Sequence, residues 1–404
     1  MRLSAYLLAC IGLIQSSLSY ADLSLLQARQ QAFLLDPELQ ALNHLQSVDR
    51  VRLQQAGRLP NPALAVEFDN LGAPSAIDGD GASVELRYSQ DVSLNNKRAL
   101  RVTLAQAEQL NTQLAIQKRS AALSAEVRLC LARWTMADAR LAWQQDEQSI
   151  AQAQVRVLSE RLRAGKIVPS EYQRAVALAQ ETEAQVLGQQ QMVSSARAEC
   201  ALLVGALPSQ PISLPKDLPE LDQQVALSRQ QADVDVATAQ ARMVLATAER
   251  QPDVTVSVGA RRSQHQQQPV WLLGASVPLT LFDQNQVAQS IAQQQFDRAT
   301  HLARLAAQRA ALRVQQIHAQ RLAAQQQLEV LQQHVLPATK ESLRIAKMAY
   351  QAGKTGLLEW LEARQVWRAA RERQVSSEFA LQQAIADLER EFAPVSAVTS
   401  GSQP

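Results

Sequence analysis

Two hydrophobic periods alternate along this chain, and the alternation occurs twice. Between residues 22 and 57, Leu23, Leu25, Leu26, Ala32, Leu34, Leu35, Leu39, Leu42 and Leu45 recur mostly at three- and four-residue steps, the spacing of an amphipathic helix. Asp36-Pro37 interrupts and restarts it, as an N-cap followed by a first-turn proline. After Gly57, Pro60 and Pro62 the period falls to two. Leu64, Val66 and Phe68 stand opposite Ala65, Glu67 and Asp69 over residues 63–71, and Val84, Leu86 and Tyr88 stand opposite Glu85, Arg87 and Ser89 over residues 83–92. The intervening segment, 72–81, is rich in Gly, Asp, Ala and Ser, so the pattern predicts a β-hairpin with one apolar and one polar face. Strands of about 9–11 residues suit a tilted crossing of a bilayer.

A helical pattern without Pro or Gly then runs from Asn95 or Asn96 to Arg163, with Leu100, Leu104, Ala107, Leu110 and Leu114 at coiled-coil steps. Seventy or so residues at 1.5 Å each predict a rod of about 100 Å, which no single globular core needs. A tip follows at 163–170, where Ala164-Gly165-Lys166 breaks the helix, and a return helix runs to Val204. Residues 205–220 hold Pro208, Pro211, Pro215 and Pro219 and predict a linker.

From residue 221 the plan repeats: a helix to about 250, strands over 254–262 and 270–281, and a cap at Asp283. A second rod carries Pro337 as a kink or break, and leads to a tip at 351–358 and a return helix ending near Phe392. Ala352-Gly353-Lys354 lies 188 positions after Ala164-Gly165-Lys166, and Glu359 and Trp360 fall on Glu171 and Tyr172. The chain therefore reads as two structural repeats, 22–204 and 221–392, each built as helix, β-hairpin, long helix, tip and shorter helix. Residues 393–404 read as a disordered tail.

Composition fits this plan. Aromatic residues make up 4%, and Ala, Gln, Leu and Arg dominate, as in long helices with small-residue packing faces. The net charge of +2 gives no argument for nucleic acid. Residues 1–21 read as a secretory signal peptide: Arg2, an apolar core over residues 5–14, and Ser19-Tyr20-Ala21 before Asp22. Leu7-Leu8-Ala9-Cys10 resembles a lipoprotein cleavage box, but cleavage there would leave an apolar core of only about seven residues. No later stretch is a membrane helix, so a mature protein that enters a bilayer does so with strands. Cys130 and Cys200 lie at nearly equal distances from the first tip on antiparallel helices. They are either a disulfide or two buried free thiols. His44, His265, His301, His318 and His334 show no ligand spacing, and no phosphate loop, nucleophile elbow or zinc-binding helix occurs, so no cofactor, resident metal or catalytic residue is expected.

Four amphipathic strands cannot close a membrane barrel, but a trimer would supply twelve. Here the sequence resembles the TolC family of outer-membrane efflux channels, and within it the CzcC-like cobalt–zinc–cadmium resistance branch. The resemblance rests on five stretches in the family's order: Gly57-Arg58-Leu59-Pro60-Asn61-Pro62, Arg161-Leu162-Arg163-Ala164-Gly165-Lys166, Gln251-Pro252-Asp253-Val254, Leu281-Phe282-Asp283-Gln284-Asn285-Gln286 and Tyr350-Gln351-Ala352-Gly353-Lys354. It implies a mainly α protein with a trimeric twelve-stranded β-barrel in the outer membrane of a Gram-negative bacterium and an α-helical periplasmic tunnel. It also implies a homotrimer that serves a periplasmic adaptor and an inner-membrane transporter of the resistance–nodulation–division type, exporting heavy-metal cations.

By resemblance, Glu359 and Glu362 form a cation ring at the periplasmic gate, with Glu where the family more often has Asp. Tyr350 is implied to hydrogen-bond Glu171 in the closed gate. Ala164, Gly165, Lys166, Ala352, Gly353 and Lys354 are implied to be the tips on which the adaptor docks. Arg174 stands where Glu362 stands in the second copy, so the first tip lacks the paired acids. Read without the family, the same glutamates are ordinary solvated helix charges. The alternatives are a channel for drugs or organic compounds and, from another class, a periplasmic adaptor or coiled-coil scaffold.

Overall fold

The computed structural model describes residues 24–69, 82–216, 225–263 and 268–392. The expected signal peptide, the 72–81 loop, the end of the linker, most of the second strand loop and the tail lie outside the described residues. In chain order the elements are α1 (Leu25–Leu35), α2 (Pro37–Ala56), β1 (Ala63–Asp69), β2 (Ser83–Val92), α3 (Lys97–Arg163), α4 (Pro169–Val204), α5 (Leu227–Ala248), β3 (Val254–Ser263), β4 (Val270–Ser276), α6 (Gln286–Val330), α7 (Leu336–Gln351) and α8 (Leu357–Glu391). The 67 residues of α3 make a helix of about 100 Å.

Three boundaries differ from those the sequence suggests. Helix α6 begins after Asn285, which holds a left-handed φ of 59°, and not at Asp283. Asp283 instead accepts a hydrogen bond from the Asn285 N–H at 2.9 Å, forming a local turn ahead of the helix. Strand β4 stops at Ser276 rather than 281, two residues before Pro278, which has no N–H for the ladder. At Pro337 the second rod neither stops nor bends into a loop. A π-helical turn over Leu331–Val335 precedes it, and the Leu336 N–H bonds Leu331 O. Proline then falls in the first turn of α7, where its missing N–H costs least.

The described residues form two compact units, and these do not follow the repeat boundaries. One comprises the chain up to Leu35 together with Val127–Pro215; the other comprises Asp36–Glu126 together with the chain from Lys216 onward. The physical reason lies in the second unit, where the first repeat's strands pair with the second repeat's strands. The N-terminal half of α3 also binds α5 there, through Asn111 Nδ2 to Thr238 Oγ1 at 2.8 Å and Arg242 to Glu108 at 2.8 Å. Small apolar cores hold this unit: Leu114, Ala121 and Leu227; Ala310, Ile317, Leu388 and Phe392; Ala324, Leu328, Leu381 and Ile385. The last two clusters pair rising numbers on α6 with falling numbers on α8, as antiparallel helices require.

In the first unit, α4 returns along the C-terminal half of α3. A disulfide joins Cys130 to Cys200, with Cα atoms 5.3 Å apart and both residues buried. Gln189 Nε2 donates to Ala137 O at 2.9 Å, Arg133 pairs with Glu199 at 3.2 Å, and the Arg197 guanidinium lies 5.9 Å from the Trp134 ring centroid.

Candidate channel surfaces and gate

The four strands form one antiparallel sheet in the order β1-β2-β3-β4. Register places Leu64, Tyr88, Val258 and Leu273 in one row and Val66, Leu86, Ala260 and Trp271 in another. These side chains make the open face of the sheet: Trp271 is 74% exposed and Leu273 86%. The intervening rows carry the polar side chains, including Glu67, Glu85 and Arg261 in one row and Ala65, Arg87 and Gly259 in another. This is the sheltered face, where Ser83, Glu85 and Ser263 are buried. A sheet in water shows the opposite arrangement, apolar in and polar out. Polar in and apolar out is the arrangement of a membrane barrel around an aqueous lumen.

The junction between strands and rods is tied by charge. Lys97, buried at the start of α3, donates from Nζ to Asp253 Oδ1 at 2.7 Å, just before β3, and to the Gln251 carbonyl. The Leu94 N–H also donates to Asp253, at 3.2 Å. Burial pushes the Asp253 carboxyl up, but the Lys97 and Leu94 hydrogen bonds outweigh it and hold the carboxyl below its ordinary range.

Both tips are closed by the same backbone device. In the first, the Lys166 N–H bonds Arg161 O at 2.9 Å and the Gly165 N–H bonds Leu162 O at 2.9 Å. In the second, the Lys354 N–H bonds Ala349 O at 2.9 Å and the Gly353 N–H bonds Tyr350 O at 3.1 Å. This is the paired six-to-one and five-to-two ending that needs a left-handed residue, and Gly165 and Gly353 supply it with φ of 67° and 70°. Ala164, Lys166, Ala352 and Lys354 are all exposed around these glycines.

The second tip carries more. Tyr350 stacks on Trp360 with ring centroids 5.6 Å apart and planes within 7°. The Arg364 guanidinium lies 6.0 Å from the Trp360 ring centroid. Trp360 and Arg364 are buried, while Glu359 and Glu362 are exposed on α8, three residues apart and so on one side of the helix. Glu171 lies half-buried in the first turn of α4. Leu162 and Val176 occupy in the first copy the places of Tyr350 and Arg364, so this stack belongs to the second tip alone. Sequence reasoning had Trp360 in view as a repeat marker and Tyr350 as a gate residue, but their ten-residue separation across a turn hid the contact.

Among the described residues no group of His, Cys, Asp and Glu is arranged to hold a metal ion, and no helix is long and apolar enough to cross a membrane.

Residues 220–391 match the family described as outer membrane efflux protein. The chain is 26% identical over 339 residues to the cobalt-zinc-cadmium resistance protein CzcC of Cupriavidus metallidurans, covering 79% of this chain and 78% of that protein. Its fold is similar to that of a membrane protein from Pseudomonas aeruginosa, with a TM-score of 0.77, 19% identity and coverage of 92% of this chain and 90% of the other. It is also similar to CusC, with a TM-score of 0.74, 16% identity and 91% of each chain covered. The outer membrane protein VceC of Vibrio cholerae gives a TM-score of 0.74 at 16% identity, over 91% of this chain and 95% of that one. The four-stranded sheet, apolar on its open face, and the long helices are the features this chain shares with these folds. Over residues 220–391 the chain is thus similar to the outer membrane efflux protein family, and its fold as a whole is similar to those of the solved membrane proteins.

Proposed function

We propose that this channel is the exit duct of a tripartite pump for heavy-metal cations, working as a homotrimer with a periplasmic adaptor and an inner-membrane resistance–nodulation–division transporter. The observation that carries the substrate is the similarity to the cobalt-zinc-cadmium resistance protein CzcC along 79% of the chain. Three copies of the four-stranded sheet make a twelve-stranded barrel whose polar faces surround the lumen and whose apolar faces meet lipid. The transporter supplies the energy.

The gate belongs to the second tip. Three copies of Glu359 and Glu362 gather six carboxylates at the periplasmic aperture, where such rings favour cations. The Tyr350–Trp360 stack fixes the segment that carries them. The exposed Ala-Gly-Lys turns at 164–166 and 352–354 are the adaptor's docking points, with Lys166 and Lys354 as the charged contacts.

Deletion of the gene tests the substrate. The deletion strain is expected to lose resistance to cobalt, zinc or cadmium salts while its tolerance of hydrophobic drugs stays unchanged. Drug sensitivity without metal sensitivity would overturn the metal reading in favour of organic efflux.

A further inference from the structure

Just after β4 the chain exposes Leu279, Leu281 and Phe282, with Phe282 94% exposed. The Leu281 N–H bonds Leu279 O at 3.0 Å, so the segment turns tightly before α6 begins. Phe282 lies six residues past Ser276, the end of β4. Six extended residues reach at most about 20 Å, and this turn shortens the reach. Clustered apolar side chains left open to this degree mark a contact surface.

At the opposite edge of the same sheet lies a groove of about 780 Å³ between the end of α2 and the start of α3. Val51, Leu59, Pro60 and Leu104 supply its apolar lining, and it begins at Asn61, two residues before β1. Two of its charged lining residues are engaged elsewhere: Arg52 pairs with Asp49 at 3.3 Å, and Glu108 with Arg242 at 2.8 Å. Arg58, exposed on the same lining, makes no ion pair among the described residues. Asp283, next to Phe282, makes none either; its Oδ1 accepts only from the Asn285 N–H, at 2.9 Å.

Topology relates these two surfaces. β1 and β4 are the edges of the sheet, and the three antiparallel pairings make them run in opposite directions. β1 leads away from α2, and β4 leads back toward α6. Copies that close a ring edge to edge therefore set β4 of one against β1 of the next as a further antiparallel pair. The residues that follow β4 then descend beside the residues that precede β1, which brings Phe282 over the groove and Asp283 toward Arg58. Resting on the homotrimer reading, we infer that Phe282 of each copy fills the groove between α2 and α3 of the next copy, with Asp283 facing Arg58. The groove is incomplete without the second copy. An aromatic anchor seated in a partner's pocket is the kind of contact that carries much of an interface's binding energy.

The full-length protein with Phe282→Cys and Leu59→Cys, purified in detergent and treated with a short bismaleimide, tests this contact. Covalent dimers and trimers are expected on denaturing gels, and neither single variant should give them. A double variant that is trimeric by light scattering but stays uncrosslinked would overturn the inference. Phe282→Ala supplies a second arm. Because the side chain is exposed in the single copy, helicity should be unchanged, while the trimer should dissociate on dilution at a concentration at least about tenfold higher. A trimer as resistant to dilution as the unaltered one would also overturn the inference and would assign Phe282 to the lipid interface instead. An unaltered protein found only as a monomer would strike at the homotrimer reading itself.

Discussion

Asp36 shows how one side chain can hold two elements at once. Its Oδ1 accepts from the Leu39 N–H at 2.6 Å, capping α2, and the same carboxylate receives the Arg119 guanidinium from α3, with Nε at 3.2 Å. The Arg119 hydrogen bond, aided by the Leu39 N–H, outweighs burial and holds the Asp36 carboxyl below its ordinary range. A carboxyl whose folded pKa is depressed contributes stability that is complete above its unfolded value, near 4, and is lost as pH falls through the folded value. Asp36→Ala should therefore destabilise the protein at pH 7, by about 1 kcal/mol for the lost cap alone. The difference from the unaltered protein should shrink below about pH 4. Thermal denaturation at pH 7 and at pH 3.5 measures this, and an equal difference at both values would contradict the account. The Asp36-Pro37 pair was legible as a cap because capping chemistry is local. Its partner Arg119 was not, since nothing in the spacing of 83 residues announces a side-chain contact.

Among the elements, the strands and tips were legible for the same reason: a period of two with an apolar face, and a glycine at the end of a helical period, are signals written in adjacent residues. The pairing of β2 with β3 was not, because it joins segments separated by a whole helical hairpin. That pairing makes two hairpins into one sheet and assembles the cluster around Glu85, which period analysis could present only as polar positions. The π turn before Pro337 was also hidden, for the sequence marks where a hydrogen bond is missing but not how the backbone absorbs the loss. Equal heights on antiparallel helices brought Cys130 and Cys200 within reach of each other, and helix rotation, which spacing does not give, decided that their sulfurs meet. The bond closes a loop with a sequence separation of 70 residues, worth up to about 4 kcal/mol in the chain-entropy account. Replacing both cysteines by serine should lower the melting temperature and open α4 to protease, and reducing agent should lower the melting temperature of the unaltered protein alone. Identical melting with and without reductant would show that the bond contributes nothing.

For the whole molecule, the chain reads as a duplication whose two copies depart from symmetry at their tips. Both tips keep the Ala-Gly-Lys turn and the same pair of backbone bonds. Only the second has the aromatic stack and the paired glutamates, with Arg174 in the first copy where Glu362 stands in the second. On the proposed reading, the carboxylates of Glu359 and Glu362, exposed on α8, are the ones that gather cations at the periplasmic end. The measurement that tests this most directly is ion selectivity of the purified protein in planar bilayers, with Glu359→Gln and Glu362→Gln combined. The unaltered trimer is expected to conduct with a preference for cations and to be blocked by divalent cations added at the periplasmic side, and the double variant to lose both properties while conducting. Unchanged selectivity and block in the double variant would contradict the account.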